Sequence, residues 1–295
     1  MQPLISIITV NYNHGETTLE FLKSVKEQNY SNYEVILVDN ASKNFDSRGF
    51  RELLPDIKII ENKTNLGFAA ANNQGMMQAS GEFLFFLNFD VLLAKDTLEQ
   101  LVNTWGKLKE PGILCPVLVF EEAPDKIQYA GYSEINRFTG RNDDKMYGKP
   151  TSKLGKEPYT TGYAHGAAIF TSRANIALTG GMPEQYFLYY EEMEWSELFL
   201  SKGKHIYIAP SIKIIHKESV SVGKHNPLKT FYLTRNRILF MKRNRKPYEF
   251  LIFWLYWTLF ALPLKCIISL IKLDFKILRA YFAGTFWHIK KAFSL

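Results

Sequence analysis

The run Phe83-Leu84-Phe85-Phe86-Leu87 is long enough for a buried strand and ends abruptly on Asn88 and Asp90. Side chains alternate along a strand, so an amide and an acid two positions apart share one face. Such a pair suits a hard divalent cation, which takes one or two carboxylate oxygens from protein and fills its shell with water and substrate phosphates. The competing reading is a strand closed by a turn, since Asn and Asp are common turn formers. The choice between them depends on what the rest of the chain places nearby.

The amino-terminal half alternates strand-like and helix-like segments. Residues 4–10, 33–38, 57–61 and 82–87 read as apolar strands, and residues 17–28 and 65–80 as helices, the first on the spacing of Leu19, Leu22 and Val25. Strands apolar on both faces and separated by helices predict an α/β fold with a mainly parallel central sheet covered on both sides. Ligands of such sheets bind at the carboxyl ends of the strands. Those ends carry residues 9–13, 39–42, 63–65 and 88–90, so four polar clusters converge on one edge.

The segments Ser6-Ile7-Ile8-Thr9-Val10-Asn11-Tyr12-Asn13, Val35-Ile36-Leu37-Val38-Asp39-Asn40-Ala41-Ser42, Asn65-Leu66-Gly67-Phe68-Ala69-Ala70-Ala71-Asn72 and Leu87-Asn88-Phe89-Asp90 resemble glycosyltransferase family 2. The rhamnosyltransferase-like branch of bacterial surface polysaccharide synthesis is the nearest likeness, and it continues through Gly166 to His216. The resemblance implies a GT-A nucleotide-sugar-binding fold and transfer of a sugar, with rhamnose from dTDP-rhamnose first and UDP-hexose or UDP-galactofuranose next. It places Thr9, Asn11, Asp39, Asn65, Gly67 and Asn72 around the nucleotide-sugar donor, with Asn88 and Asp90 at its diphosphate. Asp39 would accept from the base or ribose, and Gly67 would let the backbone approach the ligand. Asn88 and Asp90 match the ends of the family's Asp-X-Asp motif, with Phe89 where the branch often has Pro or Ser.

The block Glu191-Glu192-Met193-Glu194-Trp195 follows five residues of which four are aromatic, and it resembles the family's Glu-Asp-X-Asp segment. Glu192 then matches the catalytic base that deprotonates the acceptor hydroxyl. Neighbouring Glu191 and Glu194 would raise its basicity; acids at a helix amino terminus are the alternative reading. His216 matches a family histidine that completes the metal shell with Asp90, a ligand pair that tolerates Mn²⁺ as well as Mg²⁺. Glu191, Trp195 and His165 are placed on the acceptor side, with core packing the default for Trp195. The acceptor implied is a saccharide or isoprenoid-linked saccharide, and the reaction a one-step inverting displacement.

Residues 1–230 make one catalytic α/β domain, and residues 231–295 a basic, apolar, helical carboxyl-terminal region. That region holds twelve Lys plus Arg against two acids, so the net charge of +7 leaves the first 230 residues at −3. Basicity confined to the tail argues against nucleic acid as the partner of the catalytic half. Residues 250–264 carry no charge but fall short of the roughly 20 residues that cross a bilayer, and Pro263 and Lys265 weaken a spanning helix further. Lys242, Arg243, Arg245 and Lys246 before the run, and Lys272, Lys276 and Arg279 after it, suit an anionic cytoplasmic leaflet. Interfacial helices on that membrane surface come first, a spanning or re-entrant helix second and an oligomer contact third. Arg235, Asn236 and Arg237 match a family Arg-Asn segment that either reaches the diphosphate or serves structure.

Cys115 and Cys266 have neither metal-ligand spacing nor the look of a disulfide framework. The chain starts almost directly in its first strand, with no signal peptide, which places it on the cytoplasmic side of the inner membrane. Residues 120–158 are the least regular and read as a mobile loop over the acceptor pocket. Two rivals remain: a catalytically silent nucleotide-sugar binder, favoured by Asn88 and Glu192, and a nucleotidyltransferase, disfavoured because Asn11-Tyr12-Asn13-His14-Gly15 is a poor phosphate loop.

Overall fold

The computed structural model describes residues 2–217 and 226–292. They form two compact units. One comprises the described residues of 1–133, 144–187 and 191–218; the other comprises those of 134–143, 188–190 and 219–295.

The first unit is an α/β fold around a ten-stranded sheet. Its strands are β1 (Ile5–Asn11), β2 (Tyr33–Asp39), β3 (Lys58–Glu61), β4 (Phe83–Asn88), β5 (Val91–Leu92), β6 (Pro111–Phe120), β7 (Ile127–Tyr129), β8 (Tyr159–Thr161), β9 (Ala168–Ser172) and β10 (His205–His216). The order is β3-β2-β1-β4-β9-β6-β10-β5, with β7 on β6 and β8 on β10. Strands β3, β2, β1 and β4 run parallel, as do β6 and β10, while β9 is antiparallel between them. The central sheet is therefore mostly parallel, as the doubly apolar strands predict.

Helices α1 (Gly15–Lys26), α2 (Arg48–Leu53), α3 (Phe68–Gln78), α4 (Thr97–Trp105), α5 (Arg173–Thr179) and α6 (Glu191–Ser201) complete the unit. Phe85 and Phe86 explain why β4 has no polar face: Phe85 meets Phe170 of β9, while Phe86 lies edge-on to Trp195 of α6. Residues 120–158 are more ordered than their composition suggests. Strand β7 pairs with β6, Asp144 Oδ1 accepts from the Met146 and Tyr147 amides, and Thr151–Lys153 form a 3₁₀ turn. Each of these elements is too short to leave a hydrophobic period.

The second unit contains α7 (Pro227–Asn244), α8 (Pro247–Tyr256), a π-helical turn (Trp257–Ala261), α9 (Leu262–Ile271) and α10 (Phe275–Ala292). From Pro247 to Ile271 the chain is one helix of 25 residues, long and apolar enough by length and composition to cross a membrane. Pro263 lies within this helix. Proline removes an N–H and crowds the carbonyl four residues back, and the wide turn at Trp257–Ala261 immediately before it accommodates both. Leu251, Leu255, Leu259, Phe260, Leu264 and Ile271 are exposed on this helix.

Candidate active site

Register alone brings the first polar group together. Asn11 at the end of β1 lies opposite Asp39 at the end of β2, and Val10 opposite Asn88 at the end of β4. Asn11 Nδ2 donates to Asp39 Oδ1 at 2.7 Å, while Asn11 Oδ1 accepts from Thr18 Oγ1 and the His14 amide. Ser42 donates to both Asp39 oxygens, through Oγ at 2.6 Å and the backbone amide at 2.9 Å. Asp39 is thus an Asx-turn former as well as a strand-end acid. Three of roughly four carboxylate lone-pair positions are occupied, which leaves one for a ligand donor. Thr9 is buried in the middle of β1, and its Oγ1 has no hydrogen-bond partner among the described residues.

Asn40, which its sequence does not distinguish from a loop residue, is the hub of the next layer. Its Nδ2 donates to Asn65 Oδ1 and Gly67 O, and its Oδ1 accepts from the Leu66 amide and Asn62 Nδ2. Asn65 Oδ1 also takes the Gly67 amide at 2.9 Å. Gly67 and Asn72, both expected at the donor, make close contacts within the protein. Gly67 does adopt φ +85°, but a Cβ there would stand 2.4 Å from Phe187 O, so the close approach it permits is to the protein chain. Asn72 is buried within α3, with Nδ2 donating to Phe68 O.

Asp90 and His216 are brought together by the antiparallel pairing of β5 with β10, in which His216 faces Val91. Asp90 is 3% exposed and His216 8%, and His216 Nε2 lies 3.3 Å from Asp90 Oδ1. That oxygen accepts no hydrogen bond among the described residues. On the other side of the ring, His216 Nδ1 lies 2.7 Å from Gln128 Oε1 of β7. With the amide oriented as in the structure, Nδ1 carries the hydrogen and Nε2 turns its lone pair toward the carboxylate. Two electron-rich atoms facing each other in a buried place call for a positive charge between them, supplied by a proton on Nε2 or by a metal ion. The donor set therefore fits a divalent cation with two protein ligands and the rest of its shell from diphosphate and water. Among the described residues no three His, Cys, Asp or Glu side chains group as a metal cage. Gln128 carries no sequence signal, since it lies on a three-residue strand.

Asn88 is partly exposed beside this pair in sequence, its amide donating to Ala167 O at 3.0 Å, and Phe89 stacks on His14 at 5.1 Å. His165 packs edge-on to His216, with ring centres 5.8 Å apart, and its Nδ1 accepts from the Ala167 amide. Burial, and after it the His216 ring, push His165 down to about 3, so it is a neutral wall rather than a proton carrier.

The three acids that open α6 divide by burial. Glu191 and Glu194 are buried, and Glu192 is partly exposed. Glu194 is held by Gln185 Nε2 and by the Tyr186 hydroxyl. The acceptor-side expectation for Trp195 is corrected. It has no exposed surface, its Nε1 donates to Gly180 O, and its ring packs on Phe86 and Phe199, leaving no face for a sugar.

In the helical unit the Arg-Asn segment divides its work. The Arg235 guanidinium stacks on Tyr232 and Trp287. Asn236 Nδ2 donates to the carbonyls of Leu188 and Tyr189. Tyr189 and Tyr190 have left-handed φ values of 68° and 79°, a conformation that costs non-glycine residues energy and needs such ties.

The sequence pattern described as Glycosyl transferase family 2 matches residues 6–170. The N-acetylglucosaminyl-diphospho-decaprenol L-rhamnosyltransferase of Mycobacterium tuberculosis is 22% identical over 245 residues, covering 76% of this chain and 79% of that protein. The dTDP-rhamnosyl transferase RfbF of Shigella flexneri is 24% identical over 259 residues, covering 84% and 83%. Among solved structures, the mannosyltransferase PcManGT from Pyrobaculum calidifontis in complex with GDP-Man and Mn²⁺ has a TM-score of 0.60 at 16% identity, covering 97% of this chain and 86% of that one. This last likeness is one of fold, and the fold is that of GT-A glycosyltransferases.

Proposed function

The chain belongs to glycosyltransferase family 2 and is a glycosyltransferase, and from that premise we propose that it moves rhamnose from dTDP-rhamnose to an isoprenoid-linked saccharide, with inversion at the anomeric carbon, in cell-surface polysaccharide synthesis. The observation that carries the site assignment is the buried Asp90 Oδ1 without a hydrogen-bond donor, facing His216 Nε2 at 3.3 Å. A divalent cation, Mn²⁺ or Mg²⁺, held by these two residues supplies neutralisation of the charge that develops on the leaving nucleoside diphosphate. Both rhamnosyltransferase relatives support the choice of sugar by their activities, and one also supports a lipid-diphosphate acceptor.

The chain's own residues divide the remaining work. Asp39 uses its remaining lone pair on the base or ribose of the donor, with Thr9 and Asn11 beside it. Asn65 and Asn40 fix the loop that closes this pocket, and Asn88 turns its amide toward the diphosphate. Glu192 takes the proton of the acceptor hydroxyl as that oxygen bonds to the anomeric carbon. The bond from that carbon to the diphosphate oxygen breaks on the opposite face, its electron pair leaving with the nucleotide. No bond between sugar and enzyme forms. The basic helical unit with its exposed apolar residues holds the enzyme on the cytoplasmic face of the inner membrane.

A donor screen with Mn²⁺ or Mg²⁺ and membrane lipid extract tests this reading, comparing wild type with Asp90→Ala and Glu192→Gln by nucleoside diphosphate release. Turnover of dTDP-rhamnose that both folded variants lose is the expected result. Turnover of a UDP-hexose instead overturns the sugar assignment, and donor binding without turnover overturns the mechanism.

A further inference from the structure

The helical unit carries a group of cations that the mechanism does not use. Arg237 of α7 has its guanidinium 5.9 Å from the centre of the Trp257 ring, and its Nε donates to the Tyr190 hydroxyl at 3.0 Å. Arg141, from Glu134–Asp143, lies over the ring of Tyr256, the residue next to Trp257, at 5.8 Å. Lys265 of α9 has its Nζ 4.9 Å from the centre of the Tyr281 ring and 3.4 Å from its hydroxyl. Burial, and after it the charges of Arg237 and Arg141, hold Lys265 below the usual lysine range, while the Tyr190 hydroxyl beside Arg237 pushes Arg237 up.

The loop that delivers Arg141 is built for the position. Gly140 has φ +61°, and a Cβ there would stand 3.0 Å from Phe253 Cε2 and 3.3 Å from Arg237 Cγ. The Gly140 amide donates to Asn136 O, and the Asn136 amide to Arg141 O, closing a tight turn against Arg237. Two acids of the helical unit have partners of their own: Glu249 pairs with Arg137, and Asp274 caps the start of α10 through the Ile277 amide. Among the described residues none of Arg141, Arg237 and Lys265 makes an ion pair with a carboxylate. Arg237 and Lys265 are partly buried, Arg141 is exposed beside them, and like charges gathered in this way are stabilised by an anion.

We propose that Arg141, Arg237 and Lys265 form a binding site for the diphosphate of a long-chain lipid, whose apolar chain lies along the exposed side of the Pro247–Ile271 helix. The guanidinium forks of two arginines match phosphate oxygens, and Lys265 adds a point charge. A diphosphate with two or three negative charges offsets most or all of three positive ones, whereas the single charge of a phosphatidylglycerol headgroup offsets only one. Leu255, Leu259 and Leu264 are exposed on the same helix as Lys265 and offer the apolar track. This inference rests on the lipid-linked acceptor of the proposed function and names where that acceptor's diphosphate is held.

Binding of geranylgeranyl diphosphate in detergent to the full chain, measured by calorimetry against geranylgeraniol, inorganic diphosphate and phosphatidylglycerol, tests it. The variants are Arg141→Gln, on an exposed loop side chain, and Lys265→Met, which keeps the apolar stem. Wild type should bind the lipid diphosphate at least about tenfold more tightly than either the alcohol or inorganic diphosphate, and each variant should lose about ten- to a hundredfold for the diphosphate alone. Equal loss for the alcohol assigns the effect to packing, and phosphatidylglycerol binding as tightly as the diphosphate makes this a general anionic-lipid site; either result overturns the proposal. No arm uses a sugar donor, so failure of the rhamnosyl reading leaves the outcome intact. Mn²⁺ binding at Asp90 and His216 should be unchanged in both variants, which separates loss of this site from loss of the catalytic one.

Discussion

Replacing Gln128 with Leu isolates the link between β7 and the metal pair. Gln128 Oε1 holds the hydrogen of His216 Nδ1 at 2.7 Å, between side chains that are 6% and 8% exposed. Leu fills a similar volume but accepts nothing. A buried N–H left unpaired costs about 1–3 kcal/mol, and the imidazole escapes that cost by moving its hydrogen to Nε2, where Asp90 Oδ1 accepts it across 3.3 Å. In that tautomer the ring no longer offers a lone pair beside Asp90. Metal binding must then reverse the change, and affinity should fall by about 10- to 100-fold, the range for losing a histidine's outer partner. That is about 1.4–2.7 kcal/mol, within the cost of the unpaired N–H, so both routes to the number agree. Mn²⁺ titration followed by electron paramagnetic resonance, with dTDP present, reads it directly. Gln128→Glu keeps the acceptor and adds charge, so it should hold or tighten Mn²⁺. The tautomer argument fails if folded Gln128→Leu stays within about twofold of wild type, or if Leu and Glu weaken binding alike, as mere packing damage would.

Asp90→Asn should abolish Mn²⁺ binding and lower turnover by about a hundredfold or more. Its metal-free melting temperature should stay level or rise, because a buried carboxylate facing an imidazole is replaced by a neutral amide; a clear fall would show that Asp90 is a structural ion-pair partner instead. Glu34 gives an acid-stability prediction. Burial raises its carboxyl, but Lys58, Ser6 and Ser80 donate to it and more than offset that, holding it down at about 2. A depressed folded-state value stabilises above the unfolded value near 4.5 and is lost as pH falls toward 2. Glu34→Gln should therefore flatten the decline in stability across that window in chemical denaturation, and an unchanged slope counts against the network. Asn236→Ala leaves the carbonyls of Leu188 and Tyr189 without their donor and should cost about 1–3 kcal/mol in urea unfolding; a cost below about 0.5 kcal/mol would mean that the left-handed backbone there holds without it.

The parallel half of the sheet was legible because its strands leave no choice of face. Ile7, Ile8, Val35, Ile36, Phe85 and Phe86 are all buried, so neither side of β1, β2 or β4 can face water, and a sheet covered by helices on both sides follows. Once those strands are parallel and in register, Asn11 must meet Asp39, and Asn88 must end beside Val10. The same logic breaks down where contacts depend on irregular pairing. His216 reaches Asp90 through a two-residue β5, and Gln128 reaches His216 from a three-residue β7 whose register with β6 shifts between Leu118 and Val119. Strands that short carry no period, and a bulge changes which side chain faces in.

Residue type also misled where two roles need the same residue. A glycine at Gly67 answers a backbone approach in either case, and only the position of Phe187 shows that the approaching group is protein. Trp195 carries the area that suits both a sugar platform and a core, and Phe86 decides for the core. Charge has the same ambiguity at larger scale. The sequence shows that the tail is basic, which suits any anionic surface, but it does not show which cations are already paired. In the structure Lys217, outside the tail, is satisfied twice, by Glu20 and Glu121, whereas Arg141, also far from the tail in sequence, and Arg237 and Lys265 lie over the rings of Tyr256, Trp257 and Tyr281 in turn. The distinction matters because a diffuse basic surface binds anions weakly and in proportion to salt, while cations held in place by a glycine turn and aromatic walls bind one anion in one geometry. Salt dependence therefore separates the two: added salt should strip the enzyme from anionic vesicles much more readily than it displaces a lipid diphosphate from the partly buried cluster.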